Sequence, residues 1–173
     1  FGTKFMKSIE EMIWSPTSNL TIIAGYVFGG VLRGLVVGFV VMIVSTIFTK
    51  PNIHNIFIIF LFAFLTAILF SLGGFLNSLF AKKFDDIAII PTFVLTPLTY
   101  LGGVFYSINV LPEFWQNVSK LNPILYMVNG FRYGFLGVSD VNVFFSFFMI
   151  ILFIIIFLIM NVYLMKIGYG LKN

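Results

Sequence analysis

Few side chains in this 173-residue chain could take part in chemistry. There is one histidine, His54, and no cysteine, so neither a thiolate metal site nor a disulfide can form. His54 has no second ligand at metal-binding spacing and reads as an interfacial residue. The carboxylate pair Asp85-Asp86 sits in a polar loop, Ala81-Lys82-Lys83-Phe84-Asp85-Asp86, with no base or nucleophile beside it. A Ser/His/Asp arrangement is implausible around a single histidine. No G-x-x-x-x-G-K-[ST] run exists, and the glycines of Gly25-Tyr26-Val27-Phe28-Gly29-Gly30 do not follow a strand. Enzyme chemistry and nucleotide binding by this chain are thus not expected, and no cofactor or metal is called for. Two cations stand out instead. Arg33 lies in the middle of an apolar run, and Arg132 ends an aromatic, proline-broken stretch.

The elements that hold these residues belong in lipid. The chain is 60% hydrophobic and 9% charged, with 24 phenylalanines, against about 25% charged residues in a soluble domain. A soluble fold of this size could not hide so much apolar surface. The net charge of +4 is scattered between apolar runs, so it reports membrane orientation, not nucleic acid. The expected fold is all-α, a polytopic transmembrane bundle.

Residues 1–14 form an amphipathic helix. Phe1, Phe5, Ile9, Met12 and Ile13 share one face; Lys4, Lys7, Ser8, Glu10 and Glu11 share the other. It is too short and charged to span, so it is expected along the membrane surface, as a linker or as a docking element. Residues 15–19 break it and offer N-caps to the next helix. Four apolar runs, 20–49, 53–80, 87–107 and 141–165, are read as spans. In the first, Gly30, Gly34 and Gly38 recur every fourth residue, a spacing that lets helices approach closely. Arg33 beside them needs an ion pair, a wet cavity or cargo to face, or must snorkel. Gly73-Gly74 and Asn77 suggest a close contact or kink near the end of the second.

The run 87–107 carries Pro91 and Pro97, each of which removes a helix hydrogen bond, so it is expected to be kinked or partly unwound. Residues 108–140 then form two helices too short to cross, read as a hairpin dipping into the membrane. Asn122 is the expected N-cap of the second, with Pro123 at its first position. Tyr126, Asn129, Arg132 and Tyr133 line one side of it. In lipid, broken helix is tolerated only beside protein or a wet cavity. The stretch 95–132 is therefore where function is expected. Lys4, Lys7, Lys82, Lys83, Lys166 and Lys172 fall on one side of a four-span topology; Lys50, Lys120 and Arg132 fall on the other. Both ends are then cytoplasmic and the hairpin faces outward. A passive channel or a non-transporting scaffold would share these features.

The central stretch resembles the permease subunits of bacterial ABC type-2 exporters. Leu98, Leu101, Gly102-Gly103, Leu111-Pro112, Pro123-Ile124, Tyr126 and Arg132 carry the likeness, followed by Phe131-Arg132-Tyr133-Gly134 and preceded by Ser8-Ile9-Glu10-Glu11 and Ser15-Pro16. The resemblance implies six spans in a complete subunit. The chain, which begins at Phe1, would then be an N-terminally truncated fragment with the last four. It implies a second permease copy, most simply in a homodimer, and a separate ABC ATPase subunit that binds the ATP. Lys7, Glu10, Glu11 and Trp14 would lie on a coupling helix seated in that ATPase. Arg33, Tyr100, Phe105, Tyr106, Tyr126 and Arg132 would border the path or its gate. The expected location is the bacterial inner membrane, in contact with lipid.

Overall fold

The computed structural model describes residues 18–50, 53–81, 83 and 85–169. The described residues are mostly helical, with no strand among them. Helix α1 runs Asn19–Phe48, α2 Ile56–Phe80, α3 Asp86–Leu101, α4 Glu113–Ser119, α5 Pro123–Leu136 and α6 Val143–Lys166. Three of them, α1, α2 and α6, are long and apolar enough to cross a membrane.

Local signals set most of the ends. Ser18 accepts the N–H of Thr21, Asn55 that of Ile58, Asn122 that of Ile124, and Asn142 those of Phe144 and Phe145. Each satisfies donors that a first helical turn leaves without partners. Gly137 closes α5 in the left-handed region, at φ 73°, with its N–H on the Tyr133 carbonyl.

Helix α2 is the axis of the bundle. Leu72, Phe75 and Leu79 pack with Ile22 and Ile23 of α1 and Met165 of α6. From its first half to its midpoint, Phe62, Leu65 and Leu69 pack with Tyr126 and Met127 of α5 and Ile150 of α6. Small residues decide how closely the neighbours approach. A Cβ on Gly30 would lie 2.4 Å from Ser71 Oγ, and one on Gly34 3.5 Å from Ala67 Cβ. The α1 glycine stripe is thus used against α2 at two positions, while Gly25, Gly29 and Gly38 meet nothing within 4 Å among the described residues. Gly73 serves the same purpose on α2, where a Cβ would touch Phe157 of α6 at 3.4 Å.

The run 87–107 differs from a plain span. Its helix stops at Leu101, and Ile90–Leu95 is wound as a π-helix, with Thr96 N–H on the Pro91 carbonyl. Pro91 and Pro97 cannot donate to the ladder, and the helix widens between them. No side chain of α3 is buried. The helix lies against the bundle without being part of its core.

Candidate functional site

An interrupted helix in an apolar chain leaves carbonyls without donors. The region between α3 and α6 is built around that shortage. Pro91 has no N–H for the carbonyl of Ile87, one turn earlier; Asn77 Nδ2, from α2, donates to it at 2.9 Å. At the other end of α3 the chain tightens. Gly102 N–H bonds the Thr99 carbonyl and leaves Leu98 behind. Asn122 Nδ2 donates to the Leu98 carbonyl at 2.6 Å. The same side chain caps α5 through its oxygen, on Ile124 N–H at 3.0 Å.

The turn that follows is capped in the same way. Tyr106 Oη donates to the Tyr100 carbonyl at 2.7 Å, and Gln116 Nε2 to that of Leu111 at 2.8 Å. Tyr126 Oη donates to the Lys120 carbonyl at 2.6 Å. Arg132 reaches furthest. One guanidinium nitrogen donates to the carbonyls of Gly103, at 2.6 Å, and Tyr106, at 3.4 Å. The other pairs with the Asp140 carboxylate. Asp140 also accepts from Ser107 Oγ, at 2.8 Å, and from Ile108 N–H, at 3.3 Å. A buried amide, Asn129, holds Asp140 in place. Its oxygen accepts the N–H groups of Asp140 and Val141, and its Nδ2 donates to the Val141 carbonyl and Ser146 Oγ. Arg132 and Asp140 thereby tie the α3–α4 turn to α5 and to the head of α6.

Two glycines let the turn fold this way. Gly103 sits at φ 73°, in the left-handed region, and a Cβ there would press Tyr106 O at 3.2 Å and Ile108 Cγ2 at 3.3 Å. On Gly102 a Cβ would lie 2.7 Å from Ile124 Cγ2. On α5, Gly130 and Gly134 bring the backbone against Phe62 and Ile59 of α2.

Of the residues singled out in the sequence, Tyr100, Phe105, Tyr106 and Arg132 gather at this turn. Tyr100 and Phe105 are exposed, with ring centroids 5.5 Å apart. Tyr126 is buried in the bundle beside Phe62 and Leu65, its hydroxyl spent on the Lys120 carbonyl. Arg33 lies elsewhere. It is exposed halfway along α1 and lines a groove of about 1280 Å³ between α1 and α2, which none of the other five borders. Among the described residues the ion pair found is Arg132–Asp140, so Arg33 has no acid there. Lys7, Glu10, Glu11 and Trp14 lie outside the described residues.

Asp140 escaped the reading of the sequence, although a signal existed. It is a lone carboxylate eight residues beyond a lone cation, between two apolar elements. Two such groups in poorly hydrated surroundings need each other. Asn161 escaped too, inside a run that looked apolar all round. It is fully buried, and its Nδ2 donates to the carbonyls of Leu72 and Phe157.

A bundle of apolar helices, one of them interrupted and met by side chains from its neighbours, defines a polytopic membrane protein built round an irregular element. The family profile of the ABC-2 type transporter matches residues 2–136, and the chain belongs to that family. It is 53% identical over 173 residues to the inner membrane transport permease YadH of Escherichia coli strain K12, covering all of this chain and 68% of that protein. The identity and coverage are the same for YadH of Shigella flexneri. No solved structure matches. The chain is thus a multi-pass bacterial membrane protein whose curated relatives are inner membrane permeases.

Proposed function

We propose that this chain is the permease subunit of an ATP-driven exporter. Two copies border the translocation path, and a separate ABC ATPase subunit supplies the work. The observation that carries this reading is α3. It is an interrupted helix with no buried side chain, whose free carbonyls are met by side chains from α2 and the hairpin. Such backbone is stable at membrane depth only where protein or a wet passage surrounds it. The bare face of α3, with Phe93, Val94 and Tyr100 exposed, suits a second copy across a shared passage. Tyr100 and Phe105 offer apolar, adaptable contact to an amphipathic cargo.

The hairpin reading has its own support. Tyr126 and Met127, in the first turn of α5, pack against Phe62, Leu65 and Leu69, the middle of a helix long enough to cross. The head of α5 then sits near mid-depth, and α4 and α5 enter and leave on one side. With the lysine bias of the loops, that side is outward and both ends of this chain are cytoplasmic. The helix at 1–14 would then face the ATPase, with Lys7, Glu10, Glu11 and Trp14 in contact. Closure of the ATPase on ATP changes the transporter only if the two states bind it differently.

Affinity purification of the complete permease tests this directly. An exporter brings down an ABC ATPase, and charge reversal at both Glu10 and Glu11 (E10K/E11K) abolishes permease-stimulated ATP hydrolysis while membrane insertion continues. A permease that purifies without an ATPase would favour a passive pore. Unaltered stimulation in E10K/E11K would remove the coupling assignment.

A further inference from the structure

We propose that Asp140 is a positioning residue. With Arg132 it forms a latch that holds the α3–α4 turn against the bundle, and the turn moves when the latch opens. This rests on the exporter reading for its driver but not for its geometry.

Four groups of the turn converge on these two side chains: the carbonyls of Gly103 and Tyr106 on Arg132, and Ser107 Oγ and Ile108 N–H on Asp140. The turn's other ties lie at its two ends, where Gly102 and Gly103 pack on Ile124 and Leu125 and where Ile108 is buried. Between them Val104 and Phe105 are exposed, and α3 before them buries no side chain. Segments with few buried apolar contacts open at low free energy. The bundle side of the latch is firm by contrast. Arg132 stands on α5, whose Gly130 and Gly134 are packed against α2, and Asn129 fixes the backbone of Asp140 and Val141. The pair is not sealed within this chain, with side chains 19% and 13% exposed. On the exporter reading it borders a wet passage, and there a charged pair joining a rigid body to a turn can exchange its partners for water without stranding a buried charge. Release would free the turn, and the outer end of α3 with it, retaining Asn122 on Leu98 as the pivot.

These 173 residues contain no cysteine, so once any thiols elsewhere in the complex are replaced, a single introduced one reports the turn. In the complete permease–ATPase complex in proteoliposomes, F105C is labelled with a membrane-impermeant maleimide, with and without ATP. Without nucleotide, D140N and R132Q are expected to raise the labelling rate roughly tenfold or more, the scale set by losing one partner of a charged hydrogen bond. D140E, which keeps the charge, is expected to stay near the parent. A disulfide crosslink joining S107C to D140C, which ties the turn itself to the bundle and is formed before labelling, is expected to abolish any ATP-dependent change at F105C. Equal labelling in D140N, D140E and the parent would overturn the latch, as would an ATP response that survives the crosslink. Thermal unfolding of each variant separates local release from global loss. If the parent ignores ATP altogether, the exporter reading fails, while the nucleotide-free comparison still decides the latch.

Discussion

The side-chain amide of Asn122 donates to the carbonyl of Leu98 at 2.6 Å, across 24 residues of sequence. Asn77 does the same for Ile87 at 2.9 Å, at the opposite end of the same helix. Helix α3 has no buried side chain, so these two amides are its main polar anchors. Four expectations follow from this and from the packing round α2.

Asn122 serves two partners, so its variants should rank. N122S keeps a neutral capping acceptor for Ile124 N–H and loses the donor for Leu98; N122A loses both. Each lost hydrogen bond with a buried partner costs about 1–3 kcal/mol. Thermal unfolding in detergent should give parent above N122S above N122A. Equal stability of N122S and the parent would mean that the Leu98 carbonyl finds another donor.

The Asn77 bond exists because position 91 has no N–H to give. N77L should therefore cost about 1–3 kcal/mol in the parent. It should cost clearly less in a P91A background, where a restored N–H can take the Ile87 carbonyl. A double-mutant cycle measures the difference. Independent, additive effects would disprove the coupling.

Gly130 has no room for a methyl group, since a Cβ would overlap the Phe62 ring. G130A should destabilise by about 1–3 kcal/mol through overpacking, and F62L should recover part of the loss. Gly25 is the control, with nothing within 4 Å among the described residues. G25A should be within about 0.5 kcal/mol of the parent. A larger loss in the complete complex would reveal a partner helix on that face of α1.

Asn161 is fully buried, and its Oδ1 has no hydrogen-bond partner among the described residues. N161L removes an unsatisfied oxygen and should change stability by less than about 1.5 kcal/mol. N161D would put a carboxylate beside the Leu72 and Phe157 carbonyls. That should cost more than about 3 kcal/mol, or block folding. A stable, well-expressed N161D would show that water reaches this point.

The elements were largely legible in the sequence because their causes are local. Apolar length alone marks α1, α2 and α6. Ser18, and Asn122 before Pro123, announce helix starts through their own side chains. Pro91 and Pro97 say where a helix must break, since a missing N–H is a property of the residue. What answers each break was not legible. That Asn77 meets Ile87, that Arg132 finds Asp140, and that Tyr126 turns inward to Lys120 depend on the register of one helix against another. Where nearly every face is apolar, hydrophobic patterning does not encode that register. It is decided by close steric fits such as Gly130 on Phe62 and Gly134 on Ile59, which exist only once the helices have packed. The sequence by itself determined a membrane bundle with one broken helix. Only the tertiary structure decided which side chains make the break tolerable, because an orphan carbonyl is satisfied by whatever donor packing brings within 3 Å of it.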